Sequence, residues 1–596
     1  MANASEVLTA AARICFGAGE HGDFRGFDTL CAKLGPRTGP ESEAWLLALR
    51  AVRWSFDPAS GPAPQVDDVR RFVDHSDPVR QIAARVCSVM ERVCVPTFDA
   101  PRLATWVAAH AALSGSPSAD ETGDDVALSA ARLWHRLLVG DATGPETAAK
   151  ALFDEASRQR AAPQVIESTV LRALLALSTG ATDDALELAR RASRMAQSEA
   201  LPQHEYLANT TLARVRRYSG RPHLALHILA ALARVAPPAW SGWIGWEMLL
   251  GGADGTRGAG TSPDGTTADA SLRDAPAMIA RRDLYALVEA TRDGQRAPFV
   301  AAASRLEQSA SAWPDLAREV QALLAALDPM REPIPESTAP WCRGETATIP
   351  CGLHGVGVPQ GTGPETEGAT AFVVAFPKTN GRRFLRPGLA FAGGVQPLAR
   401  DSAKTAGGGV RTETGIAALA LAGEAGATRE VFFNSVYGFP FVAHRHQAVL
   451  DVLCHRMRNL LGEAGEVRRD SGDGASAASA ASVAASVASA ASVASTASAP
   501  SATRASGPSL SLVLREPIVV PDMRCALPMA DRVLRALATL GTTSASAAAD
   551  SLRMPLRTVQ AVLQQLVAEG ACSIERDGRR VAYKIEDTTF TEVTSS

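Results

Sequence analysis

A helical pattern that repeats after 40 residues constrains the fold of this chain more than any other feature. The stretch 170–196, VLRALLALSTGATDDALELARRASRMA, is echoed by 211–236, TLARVRRYSGRPHLALHILAALARVA. Gly180 then aligns with Gly220, and Ala173 aligns with Ala213. Stacked helical hairpins need small residues where the helices touch and a glycine in the turn between them. The sequence therefore predicts helical repeats in this region.

Helical apolar spacing extends from residue 1 to about residue 330, and we predict one helical-repeat domain there. Its clearest part, Glu167 to Pro237, resembles tetratricopeptide-type repeats in a degenerate form that is longer than the usual unit. The resemblance implies a surface for binding a protein partner or for self-association. An irregular helical bundle remains the alternative. The glycine-rich stretch 251–271 predicts a disordered loop within this domain.

Composition excludes several classes of protein. The formal net charge of −3 is not that of a polycation, so any affinity for nucleic acid must come from local patches. Nine scattered cysteines form no disulfide framework, and Cys342 and Cys351 with His354 fit no closed zinc pattern. The chain has neither an apolar run of membrane-spanning length nor a signal-peptide core. We therefore expect a cytoplasmic protein without membrane contact, metal or cofactor.

The stretch Arg429–Asp470 is the most informative about function, because it holds two amphipathic helices joined by an aromatic and proline turn. In the longer helix, apolar residues at i, i+3 and i+4 spacing predict a buried face; they are Val449, Val452, Leu453, Met457, Leu460 and Leu461. The predicted outward face carries Gln447, Asp451, Cys454, His455 and Arg458, with His444, Arg445 and His446 at the entry. An apolar back with a hydrogen-bonding front is typical of a helix that reads a major groove.

This region, 371–520, resembles the winged-helix effector domain of OmpR/PhoB-type response regulators. The resemblance is carried by Val436-Tyr437-Gly438, which ends one helix, and by Arg456-Met457-Arg458-Asn459-Leu460-Leu461-Gly462, which ends the next. It implies that Arg445, Gln447, His455 and Arg458 contact DNA. The sequence departs from the family at an Ala/Ser insertion, 475–507, after which SLSLVLREPIVV supplies the missing strand. No phosphoacceptor domain is visible. Residues 331–370 are predicted to form a linker.

Residues 521–590 predict a second, independent winged helix. Three short amphipathic helices precede SIERDGRRVAYKIED, which reads as a hairpin around Asp577-Gly578. The unit resembles the winged helix-turn-helix of MarR/ArsR-like regulators. In its third helix we expect Val559, Leu563, Leu566 and Val567 to be buried. The outward residues implied to contact DNA there and on the wing are Arg557, Thr558, Gln564, Gln565, Arg576, Arg579 and Arg580.

The predicted fold is thus multidomain and mainly α, with a helical-repeat array followed by two α+β winged helices. Residues 371–470 hold 13 Lys and Arg against 8 Asp and Glu, whereas residues 521–596 are balanced at 9 against 9. The resemblances imply a bacterial transcriptional regulator that binds double-stranded DNA. A scaffold whose winged helices bind proteins is the alternative. No phosphate loop, HExxH, GxSxG or kinase signature is present, so we do not expect an enzyme.

Overall fold

The computed structural model describes residues 4–35, 39–115, 125–141, 144–219, 221–251, 270–293, 296–328, 372–378, 381–384, 396–397, 409–470, 509–525, 529–552, 554–577 and 580–586. These residues are mainly helical, which confirms the predicted fold class at that level. The chain forms two compact units. The first comprises 1–285, 304–320 and 533–596, and the second comprises 286–303 and 321–532.

Helices follow one another over the first 330 residues. Their bounds are α1 Ala4–Glu20, α2 Phe27–Leu34, α3 Pro40–Phe56, α4 Val66–Arg70, α5 Asp77–Thr97, α6 Ala100–Ser114, α7 Val126–Val139, α8 Pro145–Arg158, α9 Ala162–Ser178, α10 Thr182–Ser198, α11 Pro202–Tyr218, α12 Pro222–Leu232, α13 Ser241–Gly251, α14 Ala270–Arg273, α15 Pro276–Asp293, α16 Arg296–Ala310 and α17 Pro314–Leu327. None of these described helices is both long and apolar enough to cross a membrane.

The 40-residue step appears directly in the helix positions. Helix α9 begins at Ala162 and α11 at Pro202, while α10 begins at Thr182 and α12 at Pro222. The aligned small residues Ala173 and Ala213 are fully buried. Helix α9 packs against both α10 and α11, so small side chains lie where neighbouring helices approach. Gly180 closes the turn between α9 and α10 with φ of 84°, a left-handed conformation that favours glycine.

The loop predicted at 251–271 is wrong at both ends. Gly251 is a buried residue at the end of α13, and residues 270 and 271 belong to α14. The remainder, 252–269, lies outside the described residues, as does the linker predicted at 331–370. The short apolar helix α13 is buried through Trp243 and Trp246.

In the second unit, residues 372–521 combine two sheets with three helices. The elements are β1 Phe372–Ala375, β2 Arg382–Phe384, β3 Gln396–Pro397, α18 Gly409–Ala422, β4 Ala427–Thr428, α19 Arg429–Tyr437, α20 Ala443–Leu461, β5 Gly465–Asp470, β6 Ser509–Leu514 and β7 Ile518–Pro521. One sheet has the order β2-β1-β7-β3 and the other has the order β4-β6-β5. A single apolar core joins the three helices to strands of both sheets.

The segment SLSLVLREPIVV forms two strands, which corrects the prediction of one. Strand β6 pairs antiparallel with β5, from Gly465 opposite Leu514 to Asp470 opposite Ser509. Strand β7 instead pairs antiparallel with β1 and parallel with β3. The bend at Arg515–Pro517 separates them, because a proline removes a backbone donor from a ladder. The Ala/Ser insertion, 475–507, lies outside the described residues, and β5 and β6 pair on either side of it.

The C-terminal elements are α21 Met529–Leu540, α22 Ala545–Leu552, α23 Leu556–Ala568, β8 Cys572–Asp577 and β9 Arg580–Ile585. Strands β8 and β9 form a hairpin whose ladder runs from Cys572 opposite Ile585 to Asp577 opposite Arg580. Thr543, just before α22, makes an isolated antiparallel bridge to Tyr583 of β9. Helix α23 ends at Ala568, and Gly570, in a left-handed conformation, leads the chain into β8.

Candidate nucleic-acid interfaces and a buried cleft

An aromatic cluster fixes the start of α20. The ring of Phe433 in α19 stacks on His446 with centroids 4.8 Å apart and also contacts Tyr437 and Phe441. His446 Nδ1 in turn accepts a hydrogen bond from the Val442 backbone N–H at 2.9 Å. Because His446 lies against α19, the stripe of α20 that continues from it must be the buried one.

The buried stripe of α20 differs from the predicted one. Leu450, Leu453, Cys454, Met457 and Leu461 are buried. Val449 and Val452 were predicted to be buried, but they are 41% and 51% exposed. Cys454 was predicted to face outward and is fully buried. The helix is therefore rotated relative to the predicted orientation, and its outward face is more apolar than expected.

Most of the polar residues predicted to contact DNA from α20 have partners within the molecule. The Gln447 side-chain amide donates to Asp451 Oδ1 at 3.0 Å, and Arg458 Nε donates to the Val467 carbonyl at 3.1 Å. His455 Nε2 lies 3.2 Å from Asn459 Nδ2. The Arg445 side chain is exposed and makes no hydrogen bond or ion pair with the described residues. The arrangement leaves one cation at the entry of the helix beside exposed valines.

Helix α23 has the orientation that its sequence predicts. Val559, Leu563 and Leu566 are buried, and Val567 is half-buried. Arg557, Thr558 and Gln564 are exposed, and none of their side chains has a hydrogen-bond partner among the described residues. Gln565 is also exposed, but its amide donates to Glu569 Oε1 at 2.7 Å.

The hairpin of β8 and β9, which follows α23 in the sequence, carries an exposed cation. Arg576 in β8 is exposed, and no ion pair engages it in the described part of the chain. Lys584 of β9 pairs with Glu575 at 3.6 Å. Arg579 lies outside the described residues, and only the backbone of Arg580 is described, within β9. Arginine and glutamine side chains can make paired contacts to guanine and adenine edges, which gives this surface the chemistry for reading DNA.

A second kind of site, which the sequence did not indicate, lies in the helical array. A small cleft, with a volume of about 30 Å³, is lined by residues of α5, α7, α9, α11 and the turn before α13. Helical spacing places its lining residues on single faces, such as Ala127, Ala131 and Trp134 on α7. The polar lining consists of Ser88, Glu91, Arg92, Gln164, Glu167, Gln203 and His204.

A charged triad stands behind one wall of the cleft. Glu91 Oε1 lies 3.0 Å from His110 Nδ1, and Asp125 Oδ2 lies 3.1 Å from His110 Nε2. With a carboxylate at each ring nitrogen, only the doubly protonated imidazolium can donate both hydrogen bonds. Burial disfavours this charge, but the two carboxylates outweigh burial and raise the pKa of His110 to about 10. The triad thus carries two carboxylates and one cation.

A buried ion-pair network connects three helices of the first unit. Arg214 Nη1 lies 2.7 Å from Glu247 Oε1 and 3.2 Å from Glu319 Oε2, and Arg217 binds the same two carboxylates. Trp246 Nε1 donates to Glu319 at 3.2 Å. Burial alone would raise the pKa of Glu319, but Arg217 and Arg214 lower it. The two arginines and the two carboxylates balance in charge, although the buried Arg214 Nε has no hydrogen-bond partner among the described residues. All four side chains are buried, so the network offers no open ligand site.

Sequence reasoning missed the cleft and both charged groups because their members are far apart in the chain. The available signal was weak: Glu247 interrupts the apolar run of α13, and a buried carboxylate requires a partner. Within the described residues, no group of three or more His, Cys, Asp or Glu is placed to hold a metal ion. Cys342, Cys351 and His354 lie outside those residues.

Comparison with known proteins gives no relative: no family model, no curated protein and no solved structure matches this chain.

Proposed function

We propose that this protein is a DNA-binding transcriptional regulator that works in the cytoplasm. In this proposal the tetratricopeptide-like helical array binds a protein partner or a second copy. Residues 371–520 and 521–590 are winged helices that dock on duplex DNA. Helix α23 carries the proposal, because it buries Val559, Leu563 and Leu566 while exposing Arg557, Thr558 and Gln564 without internal partners.

The order of elements supports this use of α23. A helix pair, α22 and α23, precedes a hairpin, and the bridge from Thr543 to Tyr583 attaches the segment before α22 to that hairpin. In winged helices the second helix of such a pair enters the major groove and the hairpin contacts phosphates or the minor groove. The exposed Arg576 on β8 would supply a phosphate contact.

Gel shifts with the full chain and a mixed-sequence duplex test the proposal. We expect a retained complex at low salt that weakens as salt rises, because cations on the protein replace counterions on DNA. Arg557→Gln should weaken the complex. Arg234→Gln, at an exposed arginine just after α12, removes the same charge from the helical array and should not. No retained duplex at low salt, or equal effects of the two variants, would contradict DNA binding through α23.

A protein-binding scaffold is the second candidate function, and the surface of α20 favours it for the region 371–520. Val449 and Val452 are exposed there, whereas Gln447 and Arg458 are engaged within the protein. Exposed apolar side chains are suited to burial against another protein. A partner whose capture survives nuclease treatment, is lost with Val452→Asp and is retained with Arg557→Gln would support the scaffold. Capture that depends on nucleic acid would oppose it.

A further inference from the structure

Exposed apolar side chains are concentrated along the first half of α20. Val442, Val449 and Val452 are exposed, as is Phe439 in the turn before the helix. The ring of Phe439 lies against His446, with centroids 5.4 Å apart, and His446 is one helical turn from both Val442 and Val449. These side chains therefore form one apolar patch, which is suited to burial against another protein.

Two arginines stand on either side of the exposed valines. Steps of four, three and four residues lead along α20 from Arg445 to Val449, Val452 and Arg456, so the four side chains form one outward stripe. The two arginines are roughly 16 Å apart along the helix axis. Both of their side chains are exposed and make no hydrogen bond or ion pair with the described residues. The outward stripe of α20 thus has an apolar centre and an available cation at each end.

Helix α20 provides no free carboxylate to balance these cations. Its single acidic residue is Asp451. This carboxylate binds Arg469 Nη1 at 2.6 Å and accepts from the Gln447 amide at 3.0 Å. His444 and His455 are also exposed on the outward side of the helix. A ligand with negative charge at both ends of an apolar segment would therefore be attracted, whereas a basic one would be repelled.

The centre of the outward stripe lacks the groups that read bases. Val449 and Val452 occupy it, and neither can donate or accept a hydrogen bond at a base edge. The polar residues Gln447 and Arg458 are already bonded within the molecule. A second helix could bury the valines and place carboxylates opposite the arginines, as paired helices do when polar residues interrupt an apolar seam.

We propose that the outward stripe of α20 binds an acidic amphipathic helix of another protein. Apolar residues of that helix cover Val449 and Val452, and one carboxylate pairs with each of Arg445 and Arg456. These two carboxylates should stand about three helical turns apart, as the arginines do. The inference rests on the second candidate function, protein binding by the region 371–520, and it gives the chemical class of the partner. DNA binding through α23 does not depend on it.

Three synthetic helical peptides of about 20 residues test the proposal with the full chain. The first has a stripe of leucines between glutamates that are about three turns apart. The second has lysines in place of those glutamates, and the third has the residues of the first in scrambled order. Fluorescence anisotropy should show that the first peptide binds at least about tenfold more tightly than the others, the value of one hydrogen bond to a charged group. Equal binding of the first two peptides, or no binding of the first, would overturn the proposal.

Substitutions locate the binding on the outward stripe. Val452→Asp should weaken binding of the acidic peptide about tenfold or more, because it places a charge in the apolar centre. Arg456→Glu should also weaken it and should strengthen binding of the lysine peptide, a gain that misfolding cannot produce. Val235→Asp and Arg234→Glu, at exposed positions just after α12, are the matched controls and should leave binding of both peptides unchanged.

The remaining outcomes separate this inference from the proposed functions. Peptide binding that is unaffected by Val452→Asp and Arg456→Glu would refute this site. If these variants instead weaken retention of the mixed-sequence duplex, the outward stripe contacts DNA. Capture of a protein that is lost with Val452→Asp but retained with Arg456→Glu would preserve the scaffold function and refute an acidic partner.

Discussion

Helices α20 and α23 both follow a shorter helix and precede a hairpin, yet their outward faces differ in chemistry. The outward face of α20 exposes Val449 and Val452, and its Gln447 and Arg458 are bound within the protein. The outward face of α23 carries Arg557, Thr558 and Gln564 without internal partners. A similar succession of elements therefore does not imply similar recognition, since the availability of each side chain decides what it can contact.

This difference assigns separate roles within the proposed function. We expect α23 to contribute most of the base contacts, while α20 offers an apolar surface with Arg445 at its entry. The hairpins differ in the same direction. Arg469 on β5 pairs with Asp451, whereas Arg576 on β8 has no ion pair among the described residues. A cation that is already paired contributes less free energy to phosphate binding, because the existing pair must first be broken.

The largest expected effect tests the rotation of α20. Met457→Ala should lower the free energy of unfolding by about 2–5 kcal/mol, because it leaves a cavity in the core. Val452→Ala should change it by no more than about 0.5 kcal/mol, since that side chain is half exposed. Denaturant unfolding of both variants measures the contrast. Equal losses would show that Val452 is buried, and the apolar outward surface of α20 would then not exist.

The second effect compares the two arginines. Arg557→Gln should weaken DNA binding by about 1–3 kcal/mol, because a free guanidinium can make paired contacts to guanine. Arg458→Gln should cost less than about threefold in affinity, well under 1.4 kcal/mol, since its Nε is bound to the Val467 carbonyl. Fluorescence anisotropy with a labelled duplex measures both. A larger effect at Arg458 would reverse the assignment of roles.

The third effect compares the two glutamines. Duplexes selected from a random library should bind more tightly than scrambled ones. Gln564→Ala should reduce this difference in binding free energy by about 1 kcal/mol, because a glutamine can form paired hydrogen bonds with adenine. Gln447→Ala should leave discrimination unchanged, as its amide is donated to Asp451. Competition binding with selected and scrambled duplexes gives the values. If Gln447→Ala also changed the preferred sequence, α20 would have to read bases as well.

The smallest effect concerns the hairpins. Arg576→Gln should lower the slope of log K against log salt concentration by about 1, the value for one phosphate contact. Arg468→Gln on β5 is the matched substitution and should leave the slope unchanged, because Arg468 lies 3.6 Å from Glu466. Binding at several salt concentrations yields both slopes. An unchanged slope for Arg576→Gln would show that the hairpin of β8 and β9 does not contact DNA.

Much of the local structure could be predicted from the sequence. The 40-residue step predicted helix starts that recur at Ala162 and Pro202, and the period of α23 predicted its buried face. The rotation of α20 could not be predicted, because valines at 449 and 452 and the stripe around Leu450 both satisfy a helical period. Stacking of His446 on Phe433 selects between the two. The second strand in SLSLVLREPIVV was missed because its partner, β1, lies more than 140 residues earlier.

The sequence by itself determined that this chain is mainly helical, and that strands and a hairpin follow from Phe372 onward. Apolar periodicity and turn residues act between neighbours in the chain, so those features can be read locally. Tertiary structure alone decided which polar side chains remain available. Gln447 is engaged while Gln564 is free. Such differences depend on partners brought together by packing, and neither composition nor periodicity records them.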